Sequence, residues 1–225
     1  MKKSFYCVED KKIFKQAMNR VRTFPEWEQF YRETPEDRIP WMMFEFDPYV
    51  DRALTQLNLN ARNVLEVGTG SGLQALELAK RGFQVTATDI SHAAVSLARN
   101  KAKEKGVEID FKQDDILNSK LNGEFDLILD RGCFHCFHTQ QIPEYIRTVR
   151  RLLTSPGYLL LQCRSDLEST NLLKSYTAPY RYAPKDIEEI FSDRFNIVSI
   201  ERAQYTDYIP GKPTQLFCIL EKSSA

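Results

Sequence analysis

The run Val64–Ala75, VLEVGTGSGLQA, decides how this chain is read. A short apolar stretch breaks into three glycines within five positions, Gly68, Gly70 and Gly72, and the pattern then turns helical. Glycine adopts left-handed backbone without strain and has no side chain to block an approach. A strand that ends in such a turn and re-enters as a helix therefore brings bare backbone close to a ligand at the strand's carboxyl end.

Outward from that turn, strands and helices alternate. NVLEV (63–67) reads as a strand, 71–81 as a helix ended at Gly82, and QVTATD (84–89) as a strand. A helix capped by Ser91 runs over 91–105 to Gly106, and EIDFK (108–112) and FDLILD (125–130) follow as strands. A helix over 139–153 and the strand GYLLLQCR (157–164) complete the alternation. Short, nearly continuous apolar strands between helices imply a parallel sheet covered on both faces, a three-layer α/β/α arrangement. The ending differs: a helix over 184–195, then NIVSIERAQY (196–205) and PTQLFCILEK (213–222) joined through the turn-like IPGK (209–212). Two strands so close in sequence pair antiparallel, which places an antiparallel last strand on a mostly parallel seven-stranded sheet.

Residues 1–60 form a separate helical cover, and residues 61–225 the main domain. In TFPEWEQFYRE (23–33), Thr23 is a cap candidate and Pro25 lies in the first turn, with Phe24, Trp27, Phe30 and Tyr31 on one face. The aromatic segment 34–50, interrupted by Pro35, Pro40 and Pro48, leads into a helix near 48–57. An apolar stripe of that size must cover something, either the core or a bound ligand.

Composition narrows the function. The 225 residues carry 31 basic and 31 acidic side chains, so no global field favours nucleic acid or an anionic membrane. No apolar run approaches the roughly 18 residues of a spanning helix. The start, MKKSFYCVED, has no apolar stretch suited to a signal peptide. Five cysteines without framework spacing suggest reduced thiols in a cytoplasmic protein, with Cys163 and Cys218 as core residues.

Two ligand readings fit the glycine turn. From Gly70, GSGLQA satisfies the dinucleotide fingerprint, with Asp89 at the place of the ribose-binding acid, so an NAD-dependent dehydrogenase is one candidate. In that fingerprint, however, the first glycine directly follows the strand and should be Gly68. The third position then falls on Leu73, where a side chain obstructs helix–strand packing. The chain also supplies no second nucleotide-binding half.

The other reading takes Glu66 with LEVGTGSG, the TDIS after the second strand, and the mixed ending. Over about 160 residues, 63–222, this resembles the class I S-adenosylmethionine-dependent methyltransferases, whose Rossmann-like sheet has seven strands with the last antiparallel. The resemblance implies S-adenosylmethionine as cofactor. It also implies Glu66 at the methionine amino group, Gly68 and Gly70 against the ligand, Asp89 on both ribose hydroxyls and Ile90 on the adenine face. In FKQDDILNS, spacing favours Asp115 with Ile116 at adenine, while Asp114 remains an alternative.

FDLILDRGCFHCFH (125–138) ends the fourth strand in the crevice where such sheets bind ligands. Its Asp130-Arg131-Gly132, with Trp41 and the aromatic cover, is similar to the thiopurine S-methyltransferase branch. The FHCFH continuation and WMMFEF after the tryptophan depart from that branch, so its substrate does not transfer; a small-molecule acceptor is the expectation. Asp130 is expected near the methionine end. Arg131 is placed either on an anionic acceptor or on a carboxylate of the cover. Tyr176, Tyr180, Arg181 and Tyr182 are pocket candidates, and His135 is the candidate base. A zinc site from Cys133, His135, Cys136 and His138 is disfavoured, because four ligands within six residues cannot readily surround one tetrahedral ion. A binding module that holds the cofactor without catalysis is the remaining alternative.

Overall fold

The structure, a computed structural model, describes residues 26–39, 41–59, 62–165, 179–204 and 214–223. The cap candidates Thr23 and Pro25, together with Phe24, Pro40, Tyr176 and the turn at 209–212, lie outside the described residues. Seven strands form one sheet: β1 (Asn63–Val67), β2 (Gln84–Asp89), β3 (Asp110–Gln113), β4 (Phe125–Arg131), β5 (Leu153–Arg164), β6 (Phe195–Gln204) and β7 (Thr214–Lys222). Their spatial order is β3-β2-β1-β4-β5-β7-β6. The pairs from β3 across to β5 are parallel, and β7 runs antiparallel to both β5 and β6. The expected antiparallel pair is therefore present, but β7 is inserted beside β5 and β6 alone forms the edge at that end of the sheet.

Helices cover both faces, which is why the central strands are apolar throughout rather than alternating. Leu127, Ile128 and Leu129 of β4 are all fully buried. One face packs Leu65, Ile128, Leu159, Leu161 and Leu216 against α5 (Ile142–Leu152) and α6 (Pro184–Phe191). The other packs Val64, Leu127, Leu129, Leu160 and Phe217 against α2 (Pro48–Gln56), α3 (Leu73–Lys80) and α4 (His92–Glu104). Ser91 caps α4 as read from the sequence, accepting from Ala94 N at 3.1 Å.

The cover divides in two. Helix α2 contributes Val50, Ala53 and Leu54 to the core, so this part follows the packing alternative. Helix α1 (Glu26–Glu33) buries no residue completely and lies over the glycine turn and the start of α4. Its Glu28 carboxylate accepts from Ala93 N (3.0 Å) and Ser91 Oγ (2.8 Å), satisfying amides that a helix start leaves open. Those bonds, the backbone amide of Ala93 foremost, hold the Glu28 pKa down to about 2. The order reverses at β1, flanked by β2 on one side and β4 on the other, and the crevice at that point is where open α/β sheets take ligands.

Candidate functional site

The glycine turn sits at the carboxyl end of β1. At Gly70 (φ +53) an added Cβ would lie 2.8 Å from the Tyr31 hydroxyl of the cover. At Gly72 (φ +80) it would lie 2.7 Å from Ala98 Cβ in α4. A glycine for close helix packing is thus present at Gly72, although it faces α4, so the obstruction expected from Leu73 does not by itself exclude a dinucleotide. Gly68 lies against Cys133, whose thiol is driven well above its ordinary pKa by burial.

Two carboxylates flank the turn. Asp89, at the end of β2, accepts from Ser91 N (2.9 Å) and Gly70 N (3.0 Å), and so ties the turn to the neighbouring strand. Burial raises its pKa to about 6 despite those bonds. Each carboxylate oxygen accepts more than one hydrogen bond, so acceptor capacity remains on both. Glu66 is buried under the turn, takes the Thr69 hydroxyl at 2.6 Å, and has its pKa raised to about 7 by burial. Bare glycine backbone between two buried acids suits a ligand with hydroxyl and ammonium donors.

Trp41 closes this place from above, donating to Tyr31 Oη (3.0 Å) and stacking on Phe30 at 5.0 Å. With Met43, Glu66, Gly68, Gly70, Gln74 and Arg131 it lines a cavity of about 50 Å³. A larger groove of about 650 Å³ lies between α5 and α6, lined by Ile142, Ile146, Arg147 and Ile190. It touches neither the glycine turn nor the two acids.

Ile90 is half-buried, and its carbonyl accepts from Gln113 Nε2 at 3.0 Å. Asp115 caps the short turn after β3, accepting from Leu117 N (3.0 Å), and Ile116 belongs to the core beside α5 rather than to an open ring face. Asp114 uses one oxygen on Lys120 N (2.9 Å), while its Oδ2 is buried with no partner.

At the end of β4 three expectations are corrected. The Asp130 side chain is fully buried and turned into the fold. It accepts from Cys133 N (2.8 Å), Phe134 N (3.0 Å) and the Tyr145 hydroxyl (2.8 Å), so it holds the turn instead of meeting a ligand. His135 is no base: its Nδ1 accepts from Arg164 N (3.2 Å), and burial, aided by Arg164 and Arg131, lowers its pKa to about 3. Tyr182 is a core residue 5.0 Å from Phe134, and Tyr180 bonds the His138 ring, both on the α5–α6 side of the sheet. Among the described residues no group of three or more His, Cys, Asp or Glu side chains is gathered to hold a metal ion.

Arg131 takes the second of its two expected places. It faces Asp47 of the cover, Nε to Oδ2 at 3.6 Å, with both side chains buried. Asp47, which the sequence reading missed, also caps α2 through Tyr49 N (2.9 Å) and accepts from Gln162 Nε2 (3.0 Å). Its own amide donates to Gln74 Oε1 (3.1 Å). The available signals were an Asp directly before Pro48, a common helix start, and one glutamine inside the apolar strand YLLLQCR.

Comparison with known proteins adds to this geometry. Residues 64–157 match the family described as a methyltransferase domain. An uncharacterized methyltransferase of Schizosaccharomyces pombe is 32% identical over 116 residues, covering 50% of this chain and 79% of that protein. The 2-heptyl-1-hydroxyquinolin-4(1H)-one methyltransferase of Mycobacteroides abscessus is 27% identical over 186 residues, 79% of each chain. Among solved structures, the 1,6-didemethyltoxoflavin-N1-methyltransferase of Burkholderia thailandensis, with 1,6-didemethyltoxoflavin and S-adenosylhomocysteine bound, has the same fold. Its TM-score is 0.68 at 17% identity, over 99% of this chain and 93% of that one.

Proposed function

Since the chain belongs to the class I S-adenosylmethionine-dependent methyltransferases, with S-adenosylmethionine as cofactor, we propose that it moves the methyl group to a small-molecule acceptor by in-line displacement. The observation that carries this reading is the pair of buried acids, Glu66 and Asp89, on either side of a glycine turn roofed by Trp41. Residues 1–60 act as the cover and 61–225 as the transferase domain. The resemblance to the thiopurine branch rests on Asp130-Arg131-Gly132 and Trp41, and no thiopurine substrate is inferred from it. The quinolone substrate named for the Mycobacteroides relative supports a small acceptor.

Bound in the crevice, S-adenosylmethionine supplies a methyl already activated on a cationic sulfur. Asp89 accepts both ribose hydroxyls, Glu66 holds the amino end through its carboxylate or water, and Gly68 and Gly70 give backbone room. Ile90 flanks adenine, and an oxygen of Asp115, or the unspent one of Asp114, accepts the adenine amino group. The cover excludes water, and Arg131, steadied by Asp47, borders the acceptor. Alignment and dryness are then the main contributions of the protein. His135, its Nδ1 taken by the Arg164 amide, is not the base of this scheme. Among the described residues no helix is long and apolar enough to cross a membrane, and Cys133, Cys136, Cys163 and Cys218 are free thiols, which supports a cytoplasmic setting.

The test is S-adenosylhomocysteine release on incubation with S-adenosylmethionine and a panel of hydroxylated, thiol and amine-bearing small molecules. Turnover of at least one is expected. Tight cofactor binding with no turnover across the panel points instead to a binding module without catalysis.

Cofactor affinity is also expected to depend on pH. The ligand-binding forms of Glu66 and Asp89 are the ionised ones, and burial raises their pKa values to about 7 and about 6. S-adenosylhomocysteine affinity should therefore fall as pH drops through about 7 and again through about 6. Titration calorimetry over this range checks it, and Asp89→Asn should erase the lower step and, by removing the charge that helps raise Glu66, move the upper step to lower pH.

A further inference from the structure

Between Gly68 and Gly70 stands a residue with a side chain, Thr69. A turn that presents bare backbone has no need of a branched side chain, so what this one touches is informative. Thr69 and Glu66 both line the cavity under Trp41, at 6% and 3% exposure. The Thr69 hydroxyl donates to Glu66 Oε2 at 2.6 Å, within the range of about 2.5–2.7 Å found for an O–H donor on an ionised carboxylate. Main-chain bonds fix the donor on both sides: Thr69 N donates to Thr88 O (2.8 Å), and Thr69 O accepts from Gly72 N (2.9 Å). Its β-branched side chain has few rotamers to choose from. Glu66 is equally fixed, paired with Ala87 and Leu129 in the sheet, with its carbonyl accepting from the Thr88 hydroxyl (3.2 Å).

The surroundings of Glu66 do little else to keep it charged. Burial raises its pKa to about 7, and the carboxylate of Asp89 across the turn adds repulsion. Arg131, at the end of β4, is the cation that faces it, but the Asp47 carboxylate of the cover lies 3.6 Å from Arg131 Nε and balances that charge. Cys133, against Gly68, stays neutral because burial lifts its pKa. From α3 come only the neutral Gln74 and the Ala75 amide, which donates to the carboxylate. Two hydrogen bonds therefore carry the charge. Almost any residue at position 75 supplies the amide, whereas the hydroxyl belongs to Thr69, and it lowers the Glu66 pKa more than the amide does.

A hydroxyl can also accept from a protonated carboxyl, but a hydrogen bond to the ionised form is about twice as strong. The threonine thus biases its partner toward the charged state. We propose that Thr69 is a positioning residue of the cofactor site, whose hydroxyl keeps the Glu66 carboxylate charged and aimed as the acceptor for the cofactor's ammonium group. This rests on the methyl-transfer reading, which puts Glu66 at the amino end, and adds to it the residue that sets the pH range over which the cofactor binds.

The experiment is calorimetric titration of the full chain with S-adenosylhomocysteine between pH 6 and pH 9, for the wild type, Thr69→Val and Thr69→Ser. Valine keeps the shape and removes the donor, which should move the Glu66 protonation step up by about one pH unit. Thr69→Val should then bind about tenfold more weakly than the wild type at pH 6, and within about twofold of it at pH 9. Comparison at equal pH cancels the ligand's own protons, and affinity near the wild-type value at pH 9 shows that the variant folds. Thr69→Ser keeps the donor and should follow the wild-type profile. In a Glu66→Gln chain, which has no carboxylate at 66 to titrate, adding Thr69→Val should change affinity by the same factor at both pH values. A merely structural threonine would give Thr69→Val one fold-loss at every pH. That uniform loss, a loss that grows with pH, full affinity at pH 6, no binding at any pH, or a serine profile that matches valine would each overturn the proposal. Failure of the underlying reading looks different: the wild-type chain itself does not bind S-adenosylhomocysteine, and the proposal falls with it.

Discussion

Asp130→Ala is expected to lower folding stability by about 3–5 kcal/mol. The carboxylate has no exposed surface and receives the amides of Cys133 and Phe134 and the hydroxyl of Tyr145. Truncation leaves those buried donors without an acceptor at once, and each such orphan costs about 1–3 kcal/mol. Denaturant unfolding should show the midpoint displaced with the slope unchanged. Tyr145→Phe removes one donor together with its share of the network and should cost only about 1 kcal/mol. An Asp130→Ala protein that unfolds at the wild-type midpoint would show that the turn after β4 stands without its carboxylate.

Asp89→Ala is expected to weaken S-adenosylhomocysteine binding by about 1–3 kcal/mol, about 5-fold to 150-fold. Two effects add. The ribose hydroxyls lose a charged acceptor, and the Gly70 amide loses the bond that ties the turn to β2. The amide of Asp89→Asn keeps one acceptor oxygen but sets an N–H against a backbone N–H, so its loss should fall between wild type and alanine. Calorimetry at pH 8, well above the Asp89 pKa of about 6, reads the ionised state. Unchanged affinity in both variants would remove Asp89 from the ribose.

Much of the architecture was legible because it is written in periodicity and punctuation. The capped helix after Ser91, the alternation of strands and helices and the antiparallel ending all follow from patterns local to a few residues. The place of β7 was not legible, since pairing with β5 as well as β6 is decided by which edge buries more apolar surface. That Gly68, Gly70, Glu66 and Asp89 lie together around one turn was visible because a strand end and a glycine turn constrain them. The division between Asp130 and Arg131 was not. Adjacent strand residues point to opposite faces, so only one of the two could turn toward the crevice, and nothing in Asp-Arg-Gly says which. Gln162 interrupts an apolar strand in plain view, yet its meaning depends on Asp47, 115 positions away. Tyr182 was misread because an aromatic after a strand looks the same whether it lines a pocket or fills the core around Phe134.

The insertion of β7 between β5 and β6 has a consequence for biosynthesis. Along the ribosome's product, β5 emerges well before residues 214–222, with its outer hydrogen-bonding groups and the apolar row Leu159–Leu161 open on that side. The next strand in the chain, β6, does not cover them in the final fold, because its partner in the sheet is β7. A nascent chain thus carries a bare, strongly apolar strand edge until its later strand is delivered, the kind of edge that invites pairing with other chains. Protection of that edge during synthesis, by a chaperone or by speed of closure, is a requirement this topology places on the cell.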